Sequence, residues 1–177
     1  MNTKKMRYVW FLVILCIFCL TLFLARTRSK VERRNRIYRQ WNEHFVVSKG
    51  KESYVRTTND SNQTVVLSEA QSYGMLITVA AAEKGQAQQA DFDRLYHYYL
   101  NHRLEGTQLM SWKQTISNGK EKDEDHNATD GDLYIAYALL KAAQQWPKQA
   151  KDYQAQAKAI LEDILAHNYN EETGVLT

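Results

Sequence analysis

Apolar and polar positions divide the chain into one unbroken apolar run and a series of striped segments. Residues 8–25 form the run, 18 positions in which Thr21 alone is not apolar. That length approaches the roughly 20 residues that cross a bilayer as a helix. Further on, the stripes recur at helical spacing. Ile37, Trp41 and Phe45 fall at i, i+4 and i+8. A helix over 68–83 opens with Ser68-x-x-Gln71, a capping-box pattern, and closes at Gly85. Asp91 is placed to cap a third, carrying Phe92, Leu95, Tyr96, Tyr99 and Leu100 on one face. A fourth covers 130–145, with Leu133, Ala136, Tyr137 and Leu140 as its apolar face, and ends before Pro147. A fifth stripes Tyr153, Ala157, Ile160, Leu161, Ile164 and Leu165. The Ser/Thr/Asn-rich stretch 52–66 reads as a loop with one short strand, and 118–127 as an exposed loop. The class is all-α, built of stacked helical hairpins and preceded by one N-terminal transmembrane helix.

Charge sharpens this division. The whole chain has a net charge of +3, but residues 37–177 hold 14 Lys+Arg against 19 Asp+Glu, a net of −5. An acidic domain disfavours nucleic-acid binding, which needs a clustered positive field. The positive excess lies in residues 1–36, as Lys4, Lys5 and Arg7 before the run and Arg26, Arg28, Lys30, Arg33, Arg34 and Arg36 after it. The reading is therefore a cytoplasmic N-terminus (1–7), a signal anchor (8–25), a basic juxtamembrane segment (26–36) and a domain (37–177). A cleaved signal peptide is the alternative, but the run is long for one and ends without an A-x-A pattern. The positive-inside tendency favours a cytoplasmic domain; a collar resting on anionic headgroups accounts for the same charges. Cys16 and Cys19 both lie inside the apolar run, as membrane-embedded thiols rather than a disulfide framework.

Two helix starts combine carboxylates with aromatics. The first is Ser68-Glu69-Ala70-Gln71-Ser72-Tyr73-Gly74-Met75, with Glu69 in the first turn, where backbone N–H groups favour a carboxylate. Gly74 inside a helix costs about 1 kcal/mol against Ala and marks close approach of another backbone or a ligand. The second is Asn127-Ala128-Thr129-Asp130-Gly131-Asp132-Leu133, where Asp130 or Thr129 is placed as a helix cap. Each taken alone is also what an ordinary helix start looks like.

With Leu109-Met110-Ser111-Trp112-Lys113 between them, and Ile135-Ala136-Tyr137-Ala138-Leu139-Leu140, Ala142 and Trp146 after them, the blocks resemble glycoside hydrolase family 8, the cellulase D family. The resemblance spans about 39–174. It implies an inverting β-glycosidase on an (α/α)6 barrel, acting on β-1,4 glucans, xylans or chitosan. Glu69 falls where the family has its general acid, and Asp130 on the aspartate placed against the sugar at the cleavage point. Trp112, Tyr73 and Asp132 are the implied substrate-binding residues, although Trp112 is equally read as a core tryptophan. An acid needs a raised pKa, from burial or from a neighbouring carboxylate such as Asp130. No cofactor or metal is implied, and His97 and His102, five apart, share no helix face.

The chain departs from the family by ending at Thr177, with about half of a barrel's helices and no residue matched to the general base. It is expected to be an incomplete barrel that leaves apolar helix faces uncovered. A polysaccharide hydrolase works outside the cytoplasm, so the domain is expected to be extracellular, or secreted if the leader is cleaved. A non-catalytic, membrane-tethered glycan-binding protein is the rival reading. Oligomeric state and the particular glycan are not legible. Three N-glycosylation patterns, at Asn59, Asn62 and Asn127, carry no weight.

Overall fold

The computed structural model describes residues 3–58 and 62–176, so the pattern at Asn59-Asp60-Ser61 lies outside the described residues. The chain forms two units, Met1–Gln40 and Trp41–Thr177. Helix α1 (Thr3–Phe45) makes up the first and ends inside the second. Where the sequence pattern placed separate segments, the helix runs without a break through apolar run, basic collar and Ile37 stripe. The first Gly of the chain is Gly50 and the only Pro is Pro147, so nothing along α1 interrupts a helix. Thr21 and Thr27 return their hydroxyls to the backbone, Thr21 to the Phe18 carbonyl (2.8 Å) and Thr27 to that of Phe23 (2.9 Å). The large apolar side chains of the run are exposed around the whole helix. Among the described residues, this is the one helix long and apolar enough to cross a membrane, a test that a signal sequence also passes.

The second unit is mostly helical. Helix α2 (Ser68–Ala82) packs on α3 (Gln89–Asn101) and on α4 (Thr129–Gln145). A 3-10 turn at Pro147–Gln149 then folds α5 (Ala150–His167) back along α4 as a helical hairpin. Short antiparallel pieces join the helices. Strand β1 (Val46–Lys49) pairs with β2 (Glu52–Val55); β3 (Thr64–Leu67), β4 (Lys113–Ser117) and β5 (Lys120–Asp123) form a three-stranded sheet; β6 (Tyr169–Asn170) pairs with β7 (Val175–Leu176).

The stretch 52–66, expected as a loop with one short strand, holds β2 as well as β3, and β5 lies in the loop expected at 118–127. In the second case the cause is plain. Ser117 pairs with Lys120 across Asn118 and Gly119, whose φ angles are 52° and 73°. Two consecutive left-handed residues of type Asn-Gly match the twist of a tight hairpin.

The helix starts also differ from the capping pattern read in the sequence. Strand β3 runs straight into α2, so Leu67 takes the N-cap position with extended backbone and Ser68 is already helical. Gln71 is therefore free of any capping box and is fully buried. Its Oε1 accepts the Val55 N–H (3.0 Å), while its Nε2 donates to the carbonyls of Ser53 (3.0 Å) and Leu95 (2.9 Å). One side chain thus ties β2 and α3 to α2. At α3 the N-cap is Gln88, and Asp91 sits three residues in, accepting the Gln88 N–H at 2.8 Å in a reciprocal box.

Met75 and Val79 of α2, Phe92, Leu95, Tyr98 and Tyr99 of α3, Ile135 and Leu139 of α4, and Tyr153, Ile160 and Ile164 of α5 form the core. Each is worth roughly 1.5–3 kcal/mol of burial. Gly74 is explained here: a Cβ on it would stand 2.4 Å from Val55 Cγ2. The close approach is by a β2 side chain, neither a backbone nor a ligand. On α4 the buried face is Ile135, Ala136, Ala138, Leu139 and Ala142. Leu133, Tyr137 and Leu140, expected on the inward stripe, are instead exposed. With Tyr73 and Ile77 of α2 they are among the exposed large apolar side chains of this helix pair.

Candidate active site

The two acidic helix starts meet. A Cβ built on Gly131, in the first turn of α4, would lie 2.3 Å from Ser68 Oγ, 2.8 Å from Ser68 Cβ and 3.0 Å from the Ser68 carbonyl carbon. The absence of a side chain at Gly131 lets the first turn of α4 touch that of α2. Glu69 and Asp130, the neighbours of these two residues, therefore emerge at the same end of the helix pair, and both are exposed. The positive ends of two helix dipoles converge there, which suits carboxylates. Asp130 does not cap α4 as the sequence suggested; Ala128 holds the N-cap position, and Asp130 Oδ1 accepts the N–H of Gly131 at 2.7 Å. The burial expected to prepare Glu69 as an acid is not supplied by the described residues.

Tyr73 stands one turn beyond Glu69 on α2. Desolvation first, then the hydrogen bond and charge of Glu69, raise its hydroxyl pKa above the ordinary value. Its ring lies 5.1 Å from that of Tyr134 on α4, so both helices contribute an aromatic to the site. Tyr134 was not singled out in the sequence; it lies four residues after Asp130, one helical turn away.

Trp112 approaches from the sheet. The Ser68 N–H donates to the Trp112 carbonyl, and the Trp112 N–H to the His126 carbonyl, both at 2.9 Å. This places the residue between the start of α2 and the segment that leads into α4. Its half-buried ring stacks on His126 (5.5 Å between centroids), with Lys113 Nζ 5.5 Å from the indole. The indole Nε1 is buried and, among the described residues, finds no acceptor; Ser68 Oγ is likewise unpartnered.

Asp132 occupies a different kind of place. It is fully buried, its Oδ1 accepting the Met110 N–H and its Oδ2 the Asn127 side-chain N–H, both at 2.8 Å. Asn127 also donates to Asn168 Oδ1 at 3.0 Å. Burial pushes the Asp132 carboxyl up to about 7, against the opposing pull of these donors and with a further push from Asp130. Asp132, read from the sequence as substrate-binding, thus lies beneath the surface, where it binds Met110 and Asn127. Asn127 was quoted in the sequence only as part of a motif. A polar residue five before a buried aspartate carries no local signal of this bond. Among the described residues no group of three His, Cys, Asp or Glu stands ready to hold a metal.

This arrangement can be compared with known proteins. The model of the glycosyl hydrolases family 8 matches residues 11–177. The chain belongs to that family. A β-glucanase of Niallia circulans is 36% identical over 138 residues, which is 77% of this chain and 33% of the relative. Endoglucanase C of Ruminiclostridium cellulolyticum is 32% identical over 130 residues, 72% of this chain and 27% of the relative. The apo structure of a β-1,3-1,4-glucanase from Paenibacillus sp. X4 superposes with a TM-score of 0.66 at 30% identity, covering 81% of this chain and 38% of that one. The family 8 chain described here thus spans about a third of the length of these curated relatives. Its helical hairpins correspond to part of the (α/α)6 barrel of its structural neighbours.

Proposed function

We propose that this family 8 chain contributes the acid side of a site that hydrolyses β-glycans. Glu69 protonates the leaving glycosidic oxygen, Asp130 holds the sugar at the cleavage point, and Tyr73 steadies Glu69 through its hydroxyl. Trp112 offers a flat apolar face to a sugar ring, and Asp132 acts from beneath as a positioning residue. The observation that carries this reading is the Ser68–Gly131 contact, which sets both acidic helix starts at one end of α2 and α4. In an inverting reaction a second carboxylate, about 6.5–9.5 Å from the acid, activates a water on the opposite face of the sugar. No residue of this chain is assigned that part. The relatives' names point to β-glucans as first substrates to try, with xylan and chitosan as alternatives. Residues 8–25 of α1 act as the anchor, with the N-terminus inside and the second unit outside the cell.

The test uses the full chain in detergent on mixed-linkage β-glucan, xylan and chitosan, with calorimetric titration of the matching oligosaccharides. Turnover that Glu69→Gln abolishes while sugar binding persists supports the assignment. Binding without turnover supports the rival, a tethered glycan-binding protein, which the exposure of Glu69 favours. Neither binding nor turnover sinks both. Protease accessibility of the second unit in intact cells checks the topology.

A further inference from the structure

Toward the far end of α2 from Glu69, the second unit holds a cavity of about 380 Å³. Its size falls within the roughly 300–1,000 Å³ of small-molecule sites. Thr78 lines it, nine residues after Glu69 and so about 14 Å further along the helix axis. The cavity is therefore separate from the end at which Glu69 and Asp130 emerge. Four parts of the unit build it: the last turn of α1, the β1–β2 hairpin, α2 and α3. Val46 and Leu95 contribute apolar surface. Ser53 and Thr78, at 3% and 2% exposed, are polar side chains set into a packed wall.

What these groups leave open decides what fits. Ser48 Oγ and Ser53 Oγ lie 2.9 Å apart, so one hydroxyl donates to the other and one O–H of the pair stays free. Thr78 Oγ1 donates to the Gly74 carbonyl at 2.8 Å and keeps its lone pairs. Asp91 turns back onto the helix start, where its Oδ2 accepts the Gln88 N–H at 2.8 Å, and its Oδ1 remains an acceptor. That leaves Arg94, three residues on, without the carboxylate as an ion-pair partner. The Asn42 amide and the Arg94 guanidinium, both lining the cavity and both exposed, make no hydrogen bond or ion pair among the described residues.

Open donors and open acceptors thus line one cavity, with a carboxylate and a guanidinium in the same wall. An anion there meets Arg94 but also Asp91, and a cation meets the reverse. A hydroxyl carries one donor and two lone pairs, so a neutral ligand with many hydroxyls answers both kinds of group. The apolar surface of Val46 and Leu95 suits the C–H face of its ring. We propose that this cavity is a second, non-catalytic subsite for a neutral polyhydroxylated ligand, a short β-linked oligosaccharide, held by Asn42, Asp91 and Arg94. The polyhydroxylated class follows from the groups in the cavity; that the sugar is β-linked rests on the function proposed above.

The test titrates the full chain in detergent with cellotetraose and with xylotetraose, following backbone amide shifts by NMR, with Glu69→Gln as background to prevent turnover. The amides of Ser48, Ser53, Thr78 and Arg94 are expected to shift together and saturate, on a curve separate from that of Tyr73 and Trp112. Arg94→Ala, at an exposed position, is expected to weaken binding at the cavity by about tenfold or more, the size of a lost hydrogen bond to a charged group. Asn42→Ala, also exposed, is expected to weaken it by about threefold or more. Neither change should move the curve read at Trp112. Citrate, an anion offered at the same concentration, is expected to leave the cavity amides where they are. Cavity amides that stay still with both sugars, that respond to citrate instead, or that respond equally in Arg94→Ala overturn the inference. Shifts at the cavity without any at Tyr73 and Trp112 defeat the proposed function and leave this subsite standing; the reverse pattern defeats the subsite alone.

Discussion

The two sides of the candidate site are held by different physics. On the helix side, α2 and α4 meet by direct contact at Ser68 and Gly131, with no room for a methyl group. On the sheet side, Trp112 and the β4–β5 hairpin are held by polar tethers: Asp132 on Met110, Asn127 on Asp132, and His102 on Asp123. Contact packing is insensitive to pH and intolerant of added volume. Polar tethering tolerates volume and responds to protons. The site therefore has one face set by shape and another set by charge, and perturbations should sort accordingly.

The largest effect is expected from Asp132. A carboxyl at about 7 in the folded chain and at 3.8 when unfolded binds its proton more tightly when folded. Its stabilising share is therefore complete below about pH 4 and is lost as pH rises to about 7, an upper bound of about 4 kcal/mol. Denaturant titration at pH 4, 5.5 and 7 should show this slope, and Asp132→Asn should flatten it. An unchanged slope in the variant would remove the charge-set side of the comparison.

Next comes the contact side. Gly131→Ala should cost about 1–3 kcal/mol by forcing α2 and α4 apart, with no dependence on pH. Combined with Ser68→Gly, which removes the two nearest atoms, part of that loss should return in a double-mutant cycle of melting temperatures. Additivity of the two changes would mean that the helices do not meet there.

Smaller again is the hairpin turn. Gly119→Ala places a side chain at φ 73° and should cost about 1 kcal/mol, seen as faster amide exchange over β4 and β5 with α2 and α4 unaffected. Smallest is Arg28→Ala on α1, which breaks an exposed pair with Glu32 (3.4 Å) and should change stability by less than about 0.5 kcal/mol.

How much of this was legible beforehand differs between the same two sides. The helices and their order followed from apolar spacing, and Glu69 and Asp130 were picked out by motif. The face of α4 was misjudged because its stripe reads equally well around Leu133 or around Ile135; only the neighbouring helices decide which one is buried. Gln71 looked like a cap because its distance from Ser68 fits one. The strand that enters α2 directly moved the cap to Leu67 and left Gln71 to bridge three elements. The hairpin has a local signal of its own, since Asn118-Gly119 is a tight-turn pair, set among charged residues that by composition read as a loop.

By itself, then, the sequence determined the apolar run over 8–25, the helical class and the two acidic helix starts. These depend on residues near one another along the chain: the absence of Gly and Pro, 3.6-residue periodicity and short motifs. Tertiary structure alone decided that Gly131 meets Ser68, that Asp132 lies beneath the surface, and that His102 meets the Asp123 carboxylate, 21 residues away. Those outcomes arise from which surfaces pack together, and side chains distant in sequence acquire their burial and partners only when the elements carrying them come into contact.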